Sequence, residues 1–164
     1  MGGFWLRQNP PFNFYDKIKR MKIISKSVED TEKLAKDFLE KISLGIYNNA
    51  LVVGLYGDLG SGKTTFTQSI AKHLNIKEDI TSPTFVIEKI YDINYFDFKK
   101  LIHIDAYRLD SAKELSALDW ERTMSDPRNI IFIEWPERVL EVLPENHAKI
   151  NFKFLSENER EIEI

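Results

Sequence analysis

A chain of 164 residues, 43% of them hydrophobic and 12% aromatic, can bury one substantial core, and a single domain over residues 21–164 is expected. A net charge of -3 and a pI near 5.7 exclude capture of nucleic acid by overall basicity, so any RNA connection has to run through a protein partner. The absence of cysteine excludes disulfides, thiolate metal sites and cysteine nucleophiles and fits a cytoplasmic protein, and no apolar run approaches membrane-spanning length.

Residues 1–20 carry Phe4, Trp5, Pro10, Pro11, Phe12, Phe14 and Tyr15, but no continuous apolar centre, no small-residue cleavage site and no helical or strand periodicity. They read as a disordered extension, or as an aromatic arm that docks on a partner. The domain opens with a short strand at Lys22 to Lys26. Ser27, with Asp30 three residues on, then caps an amphipathic helix whose apolar face is Leu34, Phe38, Leu39 and Ile42 and which ends near Gly45. Ala50 to Tyr56 reads as a buried strand and Thr65 to Leu74 as a helix, with a glycine-rich turn between them.

Asn75 to Thr84 is polar and turn-like, and the segment can lie over a ligand held at the glycine turn. Phe85 to Asp92 and Lys99 to Tyr107 form a long hairpin turning at Asn94 to Phe98. Short helices follow at Ser111 to Leu118 and Trp120 to Met124, then a buried strand at Asn129 to Glu134 and a helix at Pro136 to Leu143. A last hairpin joins Lys149–Leu155 to Arg160–Ile164 through Glu157-Asn158. The order implies an α/β layer protein, a P-loop NTPase-like mixed sheet whose parallel core carries antiparallel hairpin strands and is flanked by helices.

The turn Gly57-Asp58-Leu59-Gly60-Ser61-Gly62-Lys63-Thr64 has two glycines five apart followed by lysine and a hydroxyl residue. A polyphosphate needs many donors from a backbone that approaches closely, which glycines permit. Lys63 can serve the β- and γ-phosphates, and the Thr64 hydroxyl can ligate magnesium at a helix start whose dipole favours anions. Strand, glycine loop and helix stand in the confirming order.

Two strands end in an acid. Leu101-Ile102-His103-Ile104-Asp105 places an aspartate suited to organise magnesium, and Ile130-Ile131-Phe132-Ile133-Glu134 places a glutamate that can ligate the metal or orient the attacking water. In an open α/β sheet both would face the crevice at the carboxyl ends of the strands. His103 is either a satisfied core histidine or a catalytic one, and Trp135 either walls the site against water or is core. Thr84 of Ser82-Pro83-Thr84 is either a γ-phosphate switch or part of an ordinary turn. Arg108 is a surface ion-pair partner or a phosphate contact.

Taken together, the loop through Thr65, Ser82-Pro83-Thr84, His103-Ile104-Asp105-Ala106-Tyr107-Arg108-Leu109 and Ile133-Glu134-Trp135 resemble the TsaE (YjeE) family, in order and approximate spacing, over roughly Lys22 to Ile164. The resemblance implies a magnesium-dependent ATPase of bacterial threonylcarbamoyladenosine synthesis. Such a protein does not transfer the threonylcarbamoyl group, and acts through ATP on the TsaB and TsaD proteins, meeting tRNA only through that complex. Carried over, it implies nucleotide contacts from Asp58, Leu59, Gly60, Ser61, Gly62, Lys63, Thr64 and Thr65, with ATP and Mg2+ as cofactors. Thr64, Glu134 and Asp105 would serve the metal, and Glu134, Asp105, Thr84 and Trp135 the chemistry. Ser61 is often alanine in similar proteins, where the loop works through its backbone. In similar proteins the N-terminal segment and last hairpin lie near the base, which makes Ser27 to Thr31 and Arg160 candidate base contacts, against helix capping and a solvated arginine.

Two rivals and a weaker form of the same reading remain. A GTPase would show a switch glycine two residues beyond the first strand acid and an Asn-Lys-x-Asp signature, and neither is present. A small-molecule P-loop kinase would carry an arginine-bearing lid, whereas Arg108, Arg122, Arg128 and Arg138 are dispersed. A nucleotide-gated binding module with negligible turnover differs from an ATPase only in degree.

Overall fold

A computed structural model describes residues 21–81 and 87–164. Elements are numbered in chain order: β1 Lys22–Ser25, α1 Val28–Ser43, β2 Leu51–Tyr56, α2 Lys63–His73, β3 Glu88–Tyr95, β4 Phe98–Asp105, α3 Ala112–Ser116, α4 Trp120–Ser125, β5 Asn129–Glu134, β6 Ala148–Phe154 and β7 Arg160–Glu163. The strands form one seven-stranded sheet in the order β1-β7-β6-β2-β5-β4-β3. β6, β2, β5 and β4 run parallel, whereas β3 pairs antiparallel with β4, and β7 antiparallel with β6 and β1. This is the expected mixed sheet, a parallel core extended at both sides by hairpin strands.

Strand alternation divides the core into two layers. Leu51, Val53 and Leu55 of β2, Leu101 of β4, and Ile130 and Phe132 of β5 pack with α1 and α2. Val52, Ile102, Ile104, Ile131 and Ile133 point the other way, to α3, α4 and the chain after β5. Central strands buried on both faces read as continuous apolar runs for this reason.

α1 starts where the capping pattern places it. The Ser27 hydroxyl accepts from the Asp30 amide at 3.2 Å, while the Asp30 carboxylate reaches back one residue further than a capping box requires, to the Lys26 amide at 2.8 Å. Its buried side chains, Thr31, Leu34, Ala35, Phe38, Leu39 and Ile42, lie on one stripe. Phe38 packs edge-on against Phe66 of α2 at 6.0 Å between centroids, and Phe66 also meets Phe132 of β5 at 6.3 Å and Phe152 of β6 at 5.7 Å. Phe66 stands two residues after Thr64, so this aromatic cluster anchors the first turn of α2 to the sheet.

Several boundaries differ from the sequence reading, and three of the differences have a visible backbone cause. α2 begins at Lys63, not Thr65, because Gly62 takes a left-handed φ of 106° and the helix can start directly after it. β3 continues through Tyr95 and β4 opens at Phe98, so the hairpin turns at Phe96 and Asp97, with Phe96 itself at φ 51°. Pro136 to Leu143 is not an α-helix but two 3-10 turns, Pro136–Arg138 and Leu140–Val142. Val139 between them leaves helical dihedrals (φ −134°, ψ 21°) as its side chain becomes fully buried. Thr84 and the rest of Ser82-Pro83-Thr84 lie outside the described residues, as do residues 1–20. Among the described residues no helix is long and apolar enough to cross a membrane.

Phe66 is fully buried among three other rings. Phe66→Ala is expected to lower unfolding free energy by about 3–5 kcal/mol, read from urea denaturation midpoints at constant m.

Candidate nucleotide site

The glycine loop leaves β2 at Tyr56 and needs glycine for two different reasons. Gly57 has φ 142°, and a Cβ there would collide with the Phe152 carbonyl oxygen of β6. Gly60 has φ 75° but no atom within 4 Å of a notional Cβ, so it meets a backbone requirement alone. The loop thus lies tight against β6 at its base and open at its crest, where Leu59 is 88% exposed.

Lys63 and Thr64 open α2 and face a cavity of about 530 Å³. The Lys63 ammonium is folded onto its own loop, donating to the carbonyls of Gly57 at 2.6 Å and Asp58 at 2.8 Å, and lies 4.3 Å from the Trp135 ring centroid. Burial pushes its pKa below the ordinary lysine value, while Glu134, Glu137, Asp105 and Asp58 act in the opposite direction. Ser61 is buried, its amide donates to the Asp58 carbonyl, and its hydroxyl has no hydrogen-bond partner. A side chain with no polar contact agrees with a loop that works through backbone groups.

The acids reach the loop through strand register. β4 and β5 pair in parallel with Asp105 opposite Glu134, and β5 in turn pairs with β2 below the loop. Both carboxylates are nearly enclosed, at 5% and 3% exposure. The Thr64 hydroxyl donates to Glu134, 3.1 Å from Oε1 and 3.3 Å from Oε2. Asp105 Oδ1 accepts from the Tyr107 amide at 2.9 Å. His103 Nε2 lies 2.9 Å from Glu134 Oε1, so the histidine left open between core and site is buried and touches the site acid.

Trp135 adopts a left-handed φ of 59° at the end of β5, a conformation rare for a bulky residue. That turn brings its indole over Lys63 and against Tyr107, 5.1 Å between centroids. It walls the cavity and is not simply core. At the opposite end the cavity is lined by Ser25, Ser27, Thr31 and Ile162, beside Glu157, Asn158 and Arg160 of the last hairpin. Ser27 caps α1, while Ser25 and Thr31 bond each other at 2.8 Å. Arg160 is not a freely solvated arginine. Its Nε donates to Gly60 O at 3.2 Å and its Nη1 to Ser156 O at 2.6 Å, which fastens the hairpin turn to the glycine loop.

The model of the family described as "Threonylcarbamoyl adenosine biosynthesis protein TsaE" matches residues 25–162. The chain belongs to the TsaE family. It is 36% identical over 132 residues to the tRNA threonylcarbamoyladenosine biosynthesis protein TsaE of Rickettsia typhi, covering 80% of this chain and 88% of that one. It is 32% identical over 145 residues to the protein of the same description from Bacillus subtilis, covering 88% and 85%. Among solved structures, Bacillus subtilis YdiB superposes with a TM-score of 0.65 at 30% identity, covering 88% of this chain and 84% of that chain. A TsaE-family role in threonylcarbamoyladenosine synthesis follows from this membership.

Two features beside the glycine loop of this TsaE-family chain are not signalled by the sequence pattern. Glu137, in the turn after Trp135, adds negative potential at Lys63. Tyr56, the last residue before the loop, donates its hydroxyl to His147 Nε2 at 2.6 Å, while His147 Nδ1 donates to the Pro144 carbonyl at 2.6 Å. Both ring nitrogens are thereby committed in the neutral form. Burial, aided by Lys149, lowers the His147 pKa against the opposing effect of the Pro144 carbonyl. An imidazole with a depressed native pKa is protonated first in the unfolded chain, so its stabilising contribution is complete above the ordinary value of about 6.5 and is lost as pH falls below it. The wild-type protein should therefore lose more stability between about pH 7 and pH 5 than His147→Gln does. Parallel denaturant melts across that range check this, and superimposable profiles would count against it.

Proposed function

We propose that this TsaE-family protein binds and hydrolyses ATP with Mg2+, and that the cycle acts on the TsaB–TsaD complex in tRNA threonylcarbamoyladenosine synthesis. The observation that carries this reading is the bond from Thr64, at the start of the loop helix, to Glu134, with Asp105 beside it in register. The ligand chemistry fits Mg2+. Two carboxylates and a hydroxyl are a short, hard oxygen set, suited to a cation that keeps waters and shares phosphate ligands.

In this reading the backbone amides of Asp58 to Thr65 would hold the phosphates, and Lys63, now bonded to the Gly57 and Asp58 carbonyls, would supply its charge to the β- and γ-phosphates. The Thr64 hydroxyl, donating its hydrogen bond to Glu134, would keep an oxygen lone pair for the metal, and Asp105 would support the metal or its water. Mg2+ would neutralise charge developing on the transferring phosphoryl group. Trp135 shields the phosphates from bulk water, and the Ser27–Thr31 end of the cavity takes the base. Thr84 is retained as a proposed switch on the resemblance alone.

A dependence on partners is supported by what lines the cavity. Among the described residues the one arginine lining it, Arg160, already serves the Gly60 and Ser156 carbonyls, and the Lys63 ammonium is held by the carbonyls of its own loop. A P-loop enzyme short of its own charge stabilisers turns over slowly until one is supplied in trans. The exposed Leu59, Val28 and Tyr107 at the rim of the cavity are suited to being covered by a protein.

Three outcomes are expected. Hydrolysis by the isolated protein is slow and rises on adding TsaB and TsaD, with ATP bound more tightly than GTP. Glu134→Ala retains ATP binding but slows hydrolysis roughly 100-fold, whereas Lys63→Ala loses binding. Equal rates with and without the partners, or equal loss of binding in the two variants, would contradict the assignment; nucleotide titration and phosphate release read them.

A further inference from the structure

We propose that His103 is a positioning residue for the metal, holding the Glu134 carboxylate in the orientation that presents it to the cation. The inference rests on the magnesium-nucleotide reading of the loop and assigns a residue which that reading does not use.

His103 lies on β4 two residues before Asp105, and strand alternation puts both on the α2 face of the sheet. On β5 the register partner of His103 is Phe132, so Glu134 is its diagonal neighbour on that face. The side chains of His103 and Glu134 are 0% and 4% exposed, and Nε2 stands 2.9 Å from Oε1. A carboxylate so enclosed, with Asp105 opposite it, is tolerable only if donors face it. Glu134 has two, the Thr64 hydroxyl and His103.

The tautomer follows from that contact. A carboxylate accepts, so Nε2 carries the hydrogen, and Nδ1 is left as an acceptor with no partner among the described residues. Glu134 is therefore the polar group that orients the ring. An apolar side chain at this position would fill the same space and spare the protein a buried, unpartnered nitrogen, so a purely structural role does not explain why an imidazole stands here.

The geometry indicates what the bond does. Thr64 reaches both carboxylate oxygens at nearly equal distance, which by itself leaves the carboxylate plane free to turn. His103 pins Oε1 from the sheet side and keeps the group directed at Thr64. Hydrogen-bonded supports of this kind usually set metal affinity by about 10–100-fold when removed.

The test uses Mn2+ as a paramagnetic probe of the divalent site in the full chain loaded with ADP, with bound and free Mn2+ separated by electron paramagnetic resonance. His103→Asn keeps polarity but places its amide near the Nδ1 position, out of reach of Glu134. His103→Gln can place an amide nitrogen where Nε2 stood. The expected result is Mn2+ binding weakened about 10–100-fold in His103→Asn and restored in His103→Gln, with metal-free ADP affinity unchanged in both. Should His103→Asn fail to fold, His103→Leu takes its place with the same expectation.

Wild-type Mn2+ affinity in the folded Asn or Leu variant, or a Gln variant no better than Asn, would overturn the positioning role while leaving the nucleotide reading intact. Equal loss of metal-free ADP affinity in all variants would also overturn it, showing only a damaged fold. No ADP-dependent Mn2+ binding by the wild-type protein would remove the nucleotide reading itself, and this inference with it.

Discussion

Two carboxylates are enclosed side by side where the glycine loop meets the sheet, and the surrounding contacts are arranged around them. Asp105 and Glu134 end adjacent parallel strands in register, and water that would screen them is largely excluded. Like charges in such a place are unfavourable unless donors or a cation compensate them. The Tyr107 amide, the Thr64 hydroxyl and the His103 imidazole supply the donors, and Lys63 supplies a nearby ammonium. A divalent cation delivered with phosphate would add to that compensation, which would link the stability of this corner of the fold to its proposed function.

The surrounding architecture holds the glycine loop against those acids. Phe66 ties the start of α2 to α1, β5 and β6 through three ring contacts, so the loop helix cannot shift without disturbing the core. Gly57 lets the loop pass under the β6 backbone, and Arg160 fastens the loop crest to the turn of the last hairpin. The β6–β7 hairpin thus supports the loop from the side of β2 opposite to β5. The cavity closes between it, the start of α1, and the Trp135 indole.

Much of this was legible in the residues because the signals are local. An apolar strand, a glycine pattern and a helix in sequence fix the loop, and acids at the ends of two apolar runs mark the strand ends. Boundaries were read less well where a single backbone angle decided them. Gly62 in a left-handed conformation starts α2 two residues early, and Val139 turning inward splits an expected helix into 3-10 turns. Contacts between strands were hidden for a different reason. The His103–Glu134 bond requires the β4–β5 register, although a His-x-Asp strand beside a strand ending in glutamate, all on one face, carried the signal. Arg160 looked like a solvated or base-contacting residue because its partner, Gly60, is 100 positions away in the chain.

The central claim is that the loop and the two acids form one site for nucleotide and metal together. Isothermal titration of the intact protein with ADP, in Mg2+ and again in EDTA, tests it most directly. The account predicts one binding site whose affinity rises when Mg2+ is present. Nucleotide binding that is absent, or equally tight in EDTA and Mg2+, would contradict it.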